Sequence, residues 1–220
     1  MSEIDGQKRK SYTGLRRDVI SLIGNKPTNV LDVGCSNGIL LHYAKGQLGA
    51  KYTVGIELDH VLAEEAASKV DKVLKMDLDS FRVAELGGQK FDLIILADVL
   101  EHTKEPSRVL AEVLKAAEND AEIIISLPNV QHWTAIKNLL IGRWPRRERG
   151  LFDKTHLRFF TWQSIVDLAD ECGLRVEERQ RNLRILDSPR SLINRLSRAF
   201  GVWPLAPFFT YQYIVKLRRV

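Results

Sequence analysis

Cysteine is almost absent. Cys35 and Cys172 are the only two in 220 residues, too few for a disulfide framework. No Cys-x-x-Cys and no His-Glu-x-x-His occurs, so the spacing supplies no metal site. No apolar run reaches transmembrane length, and residues 1–11 are polar rather than leader-like. No repeat or low-complexity tract interrupts the chain. With 45% hydrophobic residues, these absences predict one cytoplasmic α/β domain with a full core, spanning residues 1–220.

Charge is present but uneven. Residues 1–130 carry 16 Lys and Arg against 20 Asp and Glu, a net of −4; residues 131–220 carry 17 against 8, a net of +9. The second part holds 14 Arg and only 3 Lys. Arginine forks suit phosphate and carboxylate groups, so this part is expected on the substrate side. A solvated basic surface is the plainer alternative for any single arginine.

The most telling segment is Val30-Leu-Asp-Val-Gly-Cys-Ser-Asn-Gly38. An apolar run carrying Asp32 meets a glycine turn, and a helix-like stretch follows. Gly34 and Gly38 permit a sharp turn and close ligand approach. The helix end offers unpaired N–H donors. A dinucleotide fingerprint would need glycine at 34, 36 and 39, and Ser36 and Ile39 break it. Gly34-Cys-Ser-Asn-Gly38 is literally Gly-x-Ser-x-Gly, but a nucleophile elbow does not normally follow the first strand.

Further acids decide the matter. Tyr52-Thr-Val-Gly-Ile56 reads as a strand ending in Glu57, 19 residues after Gly38, where a carboxylate meets ribose hydroxyls. Lys72–Lys75 ends near Asp77, and Phe91–Leu96 is followed by Asp98-Val-Leu-Glu-His102. Acids therefore recur past four successive strands, whose ends line one crevice in an open α/β sheet.

This set resembles the class I S-adenosylmethionine (SAM)-dependent methyltransferases. Leu31–Gly38 looks like their first motif, Gly55-Ile-Glu57 their second acid, Met76-Asp-Leu78 their adenine-side motif, Asp98–His102 their fourth-strand motif, and Glu122–Asn129 their fifth strand. Ser36 departs from the second glycine of many members. The resemblance implies a Rossmann-like sheet of seven mostly parallel strands, helices on both faces, and an antiparallel last strand between the fifth and sixth. It implies SAM as cofactor, held by Asp32, Gly34, Cys35, Ser36, Gly38, Glu57, Leu58, Asp77, Leu78 and Asp98. Asp32 would match the ammonium, Glu57 the ribose, and Asp77 and Leu78 the adenine.

The segments predict helices over 13–24, 37–48, 60–69, 105–117 and 130–141. Thr161 caps another over 162–172 that stops at Gly173. An amphipathic helix is expected near 189–200, and strands at 123–126, 174–180 and 210–216.

Candidate bases are His102, His132 and His156, with His102 and His156 favoured. Gly150–Thr161 resembles a segment that faces the acceptor in bacterial surface-glycan methyltransferases and in relatives of the ubiquinone O-methyltransferases. It puts His156 and Arg158 on the substrate side; a structural His–Arg brace is the alternative. Asn129 and His132 join Arg158 as substrate-side candidates, and residues 142–160 and 187–209 as substrate-side insertions. A basic helix with an apolar loop over 189–209 suits an anionic membrane surface or a lipid-linked acceptor; packing against the last strand is the alternative. The acceptor expected is a hydroxyl of a glycan, a lipid-linked or another anionic small molecule. Ser126–Trp133 and Gly142-Arg-Trp-Pro145 also resemble the methionine-biosynthesis W proteins, which implies a partner subunit of an acyltransferase. Nucleic acid is a weaker option, since no base-binding motif is present.

Overall fold

Strands β1 (Asn29–Val33), β2 (Tyr52–Glu57), β3 (Lys72–Lys75), β4 (Phe91–Ala97) and β5 (Ala117–Pro128) form from the apolar runs of the first part. β1 and β4 are almost wholly buried, as parallel strands covered on both faces must be. The structure is a computed structural model and describes residues 13–186, 194 and 204–220. The helix expected near 189–200 lies largely outside these residues.

Two more strands, β6 (Leu174–Leu183) and β7 (Thr210–Arg219), complete a sheet of order β3-β2-β1-β4-β5-β7-β6. β1 to β5 pair in parallel, and β7 runs antiparallel between β5 and β6. This is the topology that the resemblance implies.

Alternation along the strands splits the core. Leu31 and Val33 join Ile94, Leu96, Ile123 and Ile125 beneath α4 (Pro106–Leu114) and α6 (Trp162–Glu171). Val30 joins Leu93, Ile95 and Ile124 on the other face, with Leu40 and Leu41 of α2 (Ile39–Tyr43), Ala66 of α3 (His60–Ala67) and Val19 of α1 (Arg17–Ile20). Burying such side chains stabilises by roughly 1.5–3 kcal/mol each.

Boundaries follow local chemistry. Asp59 caps α3 by accepting from the backbone N–H groups of Val61 and Leu62. Thr161 and Ser164 form a reciprocal capping box on α6, which ends before Gly173. The helix expected over 13–24 is only α1, because Arg16 leaves helical geometry and its side chain crosses to β4. α2 passes into a π turn over Ala44–Leu48. α5 (Trp133–Leu140) starts three residues later than expected, with His132 as its cap. β5 starts six residues earlier than expected. α7 (Ala206–Phe209) is a single turn before β7. Among the described residues no helix is long and apolar enough to cross a membrane.

The order reverses at β1: β2 lies on one side of it and β4 on the other. Such a switch point opens a crevice at the strand carboxyl ends, where ligands bind in open α/β sheets.

Candidate cofactor and active site

The turn after β1 has no room to spare. Gly34 has φ +77, and a Cβ there would lie 2.3 Å from Cγ2 of Val99, so both conformation and space demand glycine. Its N–H and that of Cys35 donate to the Ile56 carbonyl at 2.8 and 3.0 Å. Gly55 in β2 is bare for the same reason: a Cβ would meet the Cys35 sulfur at 2.4 Å. Cys35 is buried there, and burial pushes its thiol up, with Asp32 and Glu57 adding to the shift. Ser36 takes φ +50, the left-handed region that glycine adopts without strain.

Glu57 knots two loops together. Its Oε2 accepts from Ser36 N at 2.8 Å, and its Oε1 from Leu58 N and Asp59 N, both at 2.8 Å. One carboxylate thus binds the turn after β1 to the turn after β2.

A cavity of about 1270 Å³ crosses these strand ends. Ten of the residues singled out from the sequence line it: Asp32, Gly34, Cys35, Ser36, Glu57, Leu58, Asp77, Leu78, Asp98 and His102. Asp32 is 3% exposed. Burial, aided by the charge of Glu57 and opposed by Arg16, pushes its carboxyl up to about 8. At neutral pH it is mostly protonated, and a bound cation would reverse that.

Asp98 anchors the β4 end of the cavity at φ +58. Its Oδ1 accepts from Ser126 Oγ at 2.7 Å and from the Gln212 amide. Its Oδ2 accepts from Arg16 Nη1 at 2.6 Å. Arg16 also forks onto Asp18 at 2.9 and 3.0 Å, and Asn182 donates to Asp18. Burial works against the charge on Arg16, but Asp98 and Asp18 outweigh it and hold the guanidinium protonated. Sequence reading missed Arg16: it precedes every motif, and only the fold brings it within reach of residue 98.

His102 ends a short turn over Leu100–His102, and its Nδ1 meets Thr155 O at 3.2 Å and Thr155 Oγ1 at 3.0 Å. His156 packs edge-on against it, ring centroids 4.8 Å apart, one layer behind the cavity wall. Burial lowers the His156 pKa, with His102 contributing, so its imidazole is neutral near pH 7. Glu101 lies beneath, and burial together with Asp98 raises its pKa.

Gly38, Asn129, His132 and Arg158 stand off the wall. Gly38 packs its backbone on Ala66. Asn129 is buried and donates to the carbonyls of Pro207 and Thr210 at 2.8 Å each. His132 is buried between Thr134 Oγ1 at 2.8 Å and the Arg184 carbonyl at 2.9 Å. Arg158 donates to the Lys104 carbonyl.

Arg147, Glu148, Arg149 and Arg184 also line the cavity, and the Arg184 guanidinium lies 4.1 Å from the centre of the Tyr211 ring. Arg190, Arg195, Arg198 and the loop over 200–203 lie outside the described residues.

Comparison with known proteins agrees with this geometry. A family model described as "Methionine biosynthesis protein MetW" matches residues 16–200. The mitochondrial ubiquinone biosynthesis O-methyltransferase of Candida albicans is 33% identical over 170 residues, 74% of this chain and 51% of that protein. The chain thus spans about half the length of that relative. A SAM-dependent methyltransferase from Archaeoglobus fulgidus superposes with a TM-score of 0.63 at 17% identity, covering 99% of this chain and 96% of that one. The plantazolicin methyltransferase BpumL in complex with SAH superposes with a TM-score of 0.62 at 18% identity, covering 99% and 90%. At these identities the two structures show the fold: it is that of the class I methyltransferases.

Proposed function

The chain belongs to the MetW family, and on that premise we propose that it is a SAM-dependent methyltransferase acting on an acceptor hydroxyl. One observation carries the reading: a single cavity gathers Asp32, Glu57, Asp77, Leu78 and Asp98 from four strand ends.

The residues present fit the cofactor. SAM, when bound, supplies a methyl group already activated by its sulfonium. Asp32, a sealed carboxyl, suits the ammonium group, whose charge offsets the cost of ionising it. Glu57 Oε2 accepts one backbone N–H and keeps a lone pair for a ribose hydroxyl. Leu78 offers an apolar face to an adenine, and Asp77 an acceptor. Gly34 lets the backbone approach closely.

Catalysis then consists mainly of alignment. The chain would hold the acceptor oxygen beside the methyl group that the cofactor supplies. A hydroxyl must lose its proton, and His102 on the wall is placed to take it. His156 behind it is kept neutral by burial. The names of the curated relatives support an oxygen acceptor. Arg147, Arg149 and Arg184 in the cavity lining support an anionic one, such as a glycan or lipid-linked precursor.

The test is calorimetric titration with S-adenosylhomocysteine (SAH), beside Glu57→Ala. Saturable binding that weakens in the variant supports the reading, and methyl-tritiated SAM then identifies the acceptor. No binding to the unaltered protein overturns it.

A second reading is a partner subunit of an acyltransferase. It is favoured by the family's description and by the end of α5, where Leu139, Leu140 and Ile141 are 58, 82 and 55% exposed. Recovery of a stoichiometric acyltransferase in a pull-down supports it.

A further inference from the structure

Beside the β4 end of the cavity a buried carboxylate and two imidazoles converge. One ligand atom each from Glu101, His102 and His156 lies within 4.8 Å of the others. Glu101 is 1% exposed, and its Oε2 has no hydrogen-bond partner. Nδ1 of His156 is buried and without a partner as well. Buried polar atoms are normally satisfied, and two orphans in one cluster call for an occupant.

A purely structural role does not account for them. The loop carrying His156 is already stitched to this turn through the main chain: Leu157 N and Arg158 N donate to the Glu101 carbonyl at 2.8 and 3.0 Å. The Glu101 carboxylate adds nothing to that brace. Nor is the His102 ring loose: its Nδ1 rests on Thr155. Metal-bound histidines are oriented in this way, the second nitrogen tied to a carbonyl and the first aimed at the ion. Here His102 Nε2 and His156 Nδ1 are the nitrogens left over.

We propose that Glu101, His102 and His156 bind a divalent transition-metal ion whose remaining coordination positions open to the cavity. Two imidazoles and one carboxylate make the set suited to Fe²⁺, Co²⁺ or Zn²⁺, not to Mg²⁺, which prefers oxygen ligands. Bonds of about 2.1 Å in a tetrahedral site put ligand atoms about 3.4 Å apart, so side-chain movement of roughly 1 Å closes the shell. The local electrostatics agree: burial favours neutral forms of both Glu101 and His156, and a cation would draw out the Glu101 proton while taking His156 as it stands. His102 lines the cavity, so the open positions face the end where Asp98 sits. With the ion bound, both His102 nitrogens are engaged, and the ion takes over from His102 the activation of the acceptor oxygen; that use rests on the methyltransferase reading, the binding does not.

The test uses tag-free full-length protein, stripped with a chelator and dialysed. Co²⁺ is titrated by visible absorption and Zn²⁺ by calorimetry, both without cofactor. One equivalent of saturable binding with ligand-field bands is expected, weakened at least about tenfold in Glu101→Gln and in His156→Gln. His102→Gln, at the more accessible position, serves if the buried variants do not fold by circular dichroism. Absence of stoichiometric binding, or folded variants that bind like the unaltered protein, overturns the proposal. SAH is titrated separately. Binding of SAH without metal leaves the cofactor reading standing and the metal site refuted; binding of metal without SAH does the reverse.

Discussion

Arg16 donates to Asp98 at 2.6 Å across 82 residues, closing the α1 side of the cavity against the end of β4. Both side chains are under one-third exposed. Replacing Arg16 by Gln leaves Asp98 and Asp18 facing each other without their shared cation. Arg16→Gln is expected to destabilise the fold by about 1–3 kcal/mol in urea unfolding. A loss well below that range would mean that the pair is no more than a screened surface contact.

Asp32 makes cofactor binding pH-dependent. Its folded pKa of about 8 lies above the ordinary carboxylate value of 3.8, so its contribution to stability is full below that ordinary value and is lost as pH rises through 8. An ammonium group at this site binds the ionised form. SAH affinity is therefore expected to rise between about pH 6 and pH 7.5, with release of a proton to buffer. Calorimetry in buffers of different ionisation enthalpy measures that proton. Asp32→Asn should bind more weakly and release none; a released proton in the variant would assign the linkage to another group.

Ser36 holds a backbone conformation that glycine adopts freely, and its hydroxyl is buried without a partner. Ser36→Gly removes both penalties and adds unfolded-state entropy. A net stabilisation of about 1 kcal/mol is expected from thermal or urea unfolding. Destabilisation would show that the hydroxyl contributes a contact outweighing the strain.

Gly34 and Val99 are coupled by a single methyl group. Gly34→Ala should cost more than about 3 kcal/mol or abolish SAH binding, from overpacking and a left-handed φ together. Adding Val99→Ala removes the overlap and leaves the backbone strain. The double variant should recover part of the loss; strictly additive losses would place the damage elsewhere.

Short continuous apolar runs and acids at their ends made the parallel half of the sheet readable from the chain, because both patterns are local. The β7 placement was available only through resemblance, since nothing local tells a strand to reverse and insert. Asn129 and His132 carry polar groups that look like ligand contacts in a sequence, yet here Asn129 donates to main-chain carbonyls and His132 meets the Arg184 carbonyl and Thr134 Oγ1. Arg16 shows the opposite failure: an ordinary basic residue gains its place from a contact 82 positions away. His102 and His156 stood out singly in the sequence, but their meeting with Glu101 did not: the cluster draws on two separate segments, so no spacing rule reaches it.

The space that Gly55 yields to the Cys35 sulfur turns that thiol into an internal clock. At 3% exposure it is shielded from an alkylating reagent for as long as the turn that carries it stays closed, whereas Cys172 is only half-buried. When closing outpaces modification, the labelling rate of Cys35 is proportional to the fraction of molecules in which that turn is open. The thiol therefore reports on opening of the cofactor-side turn without any introduced probe.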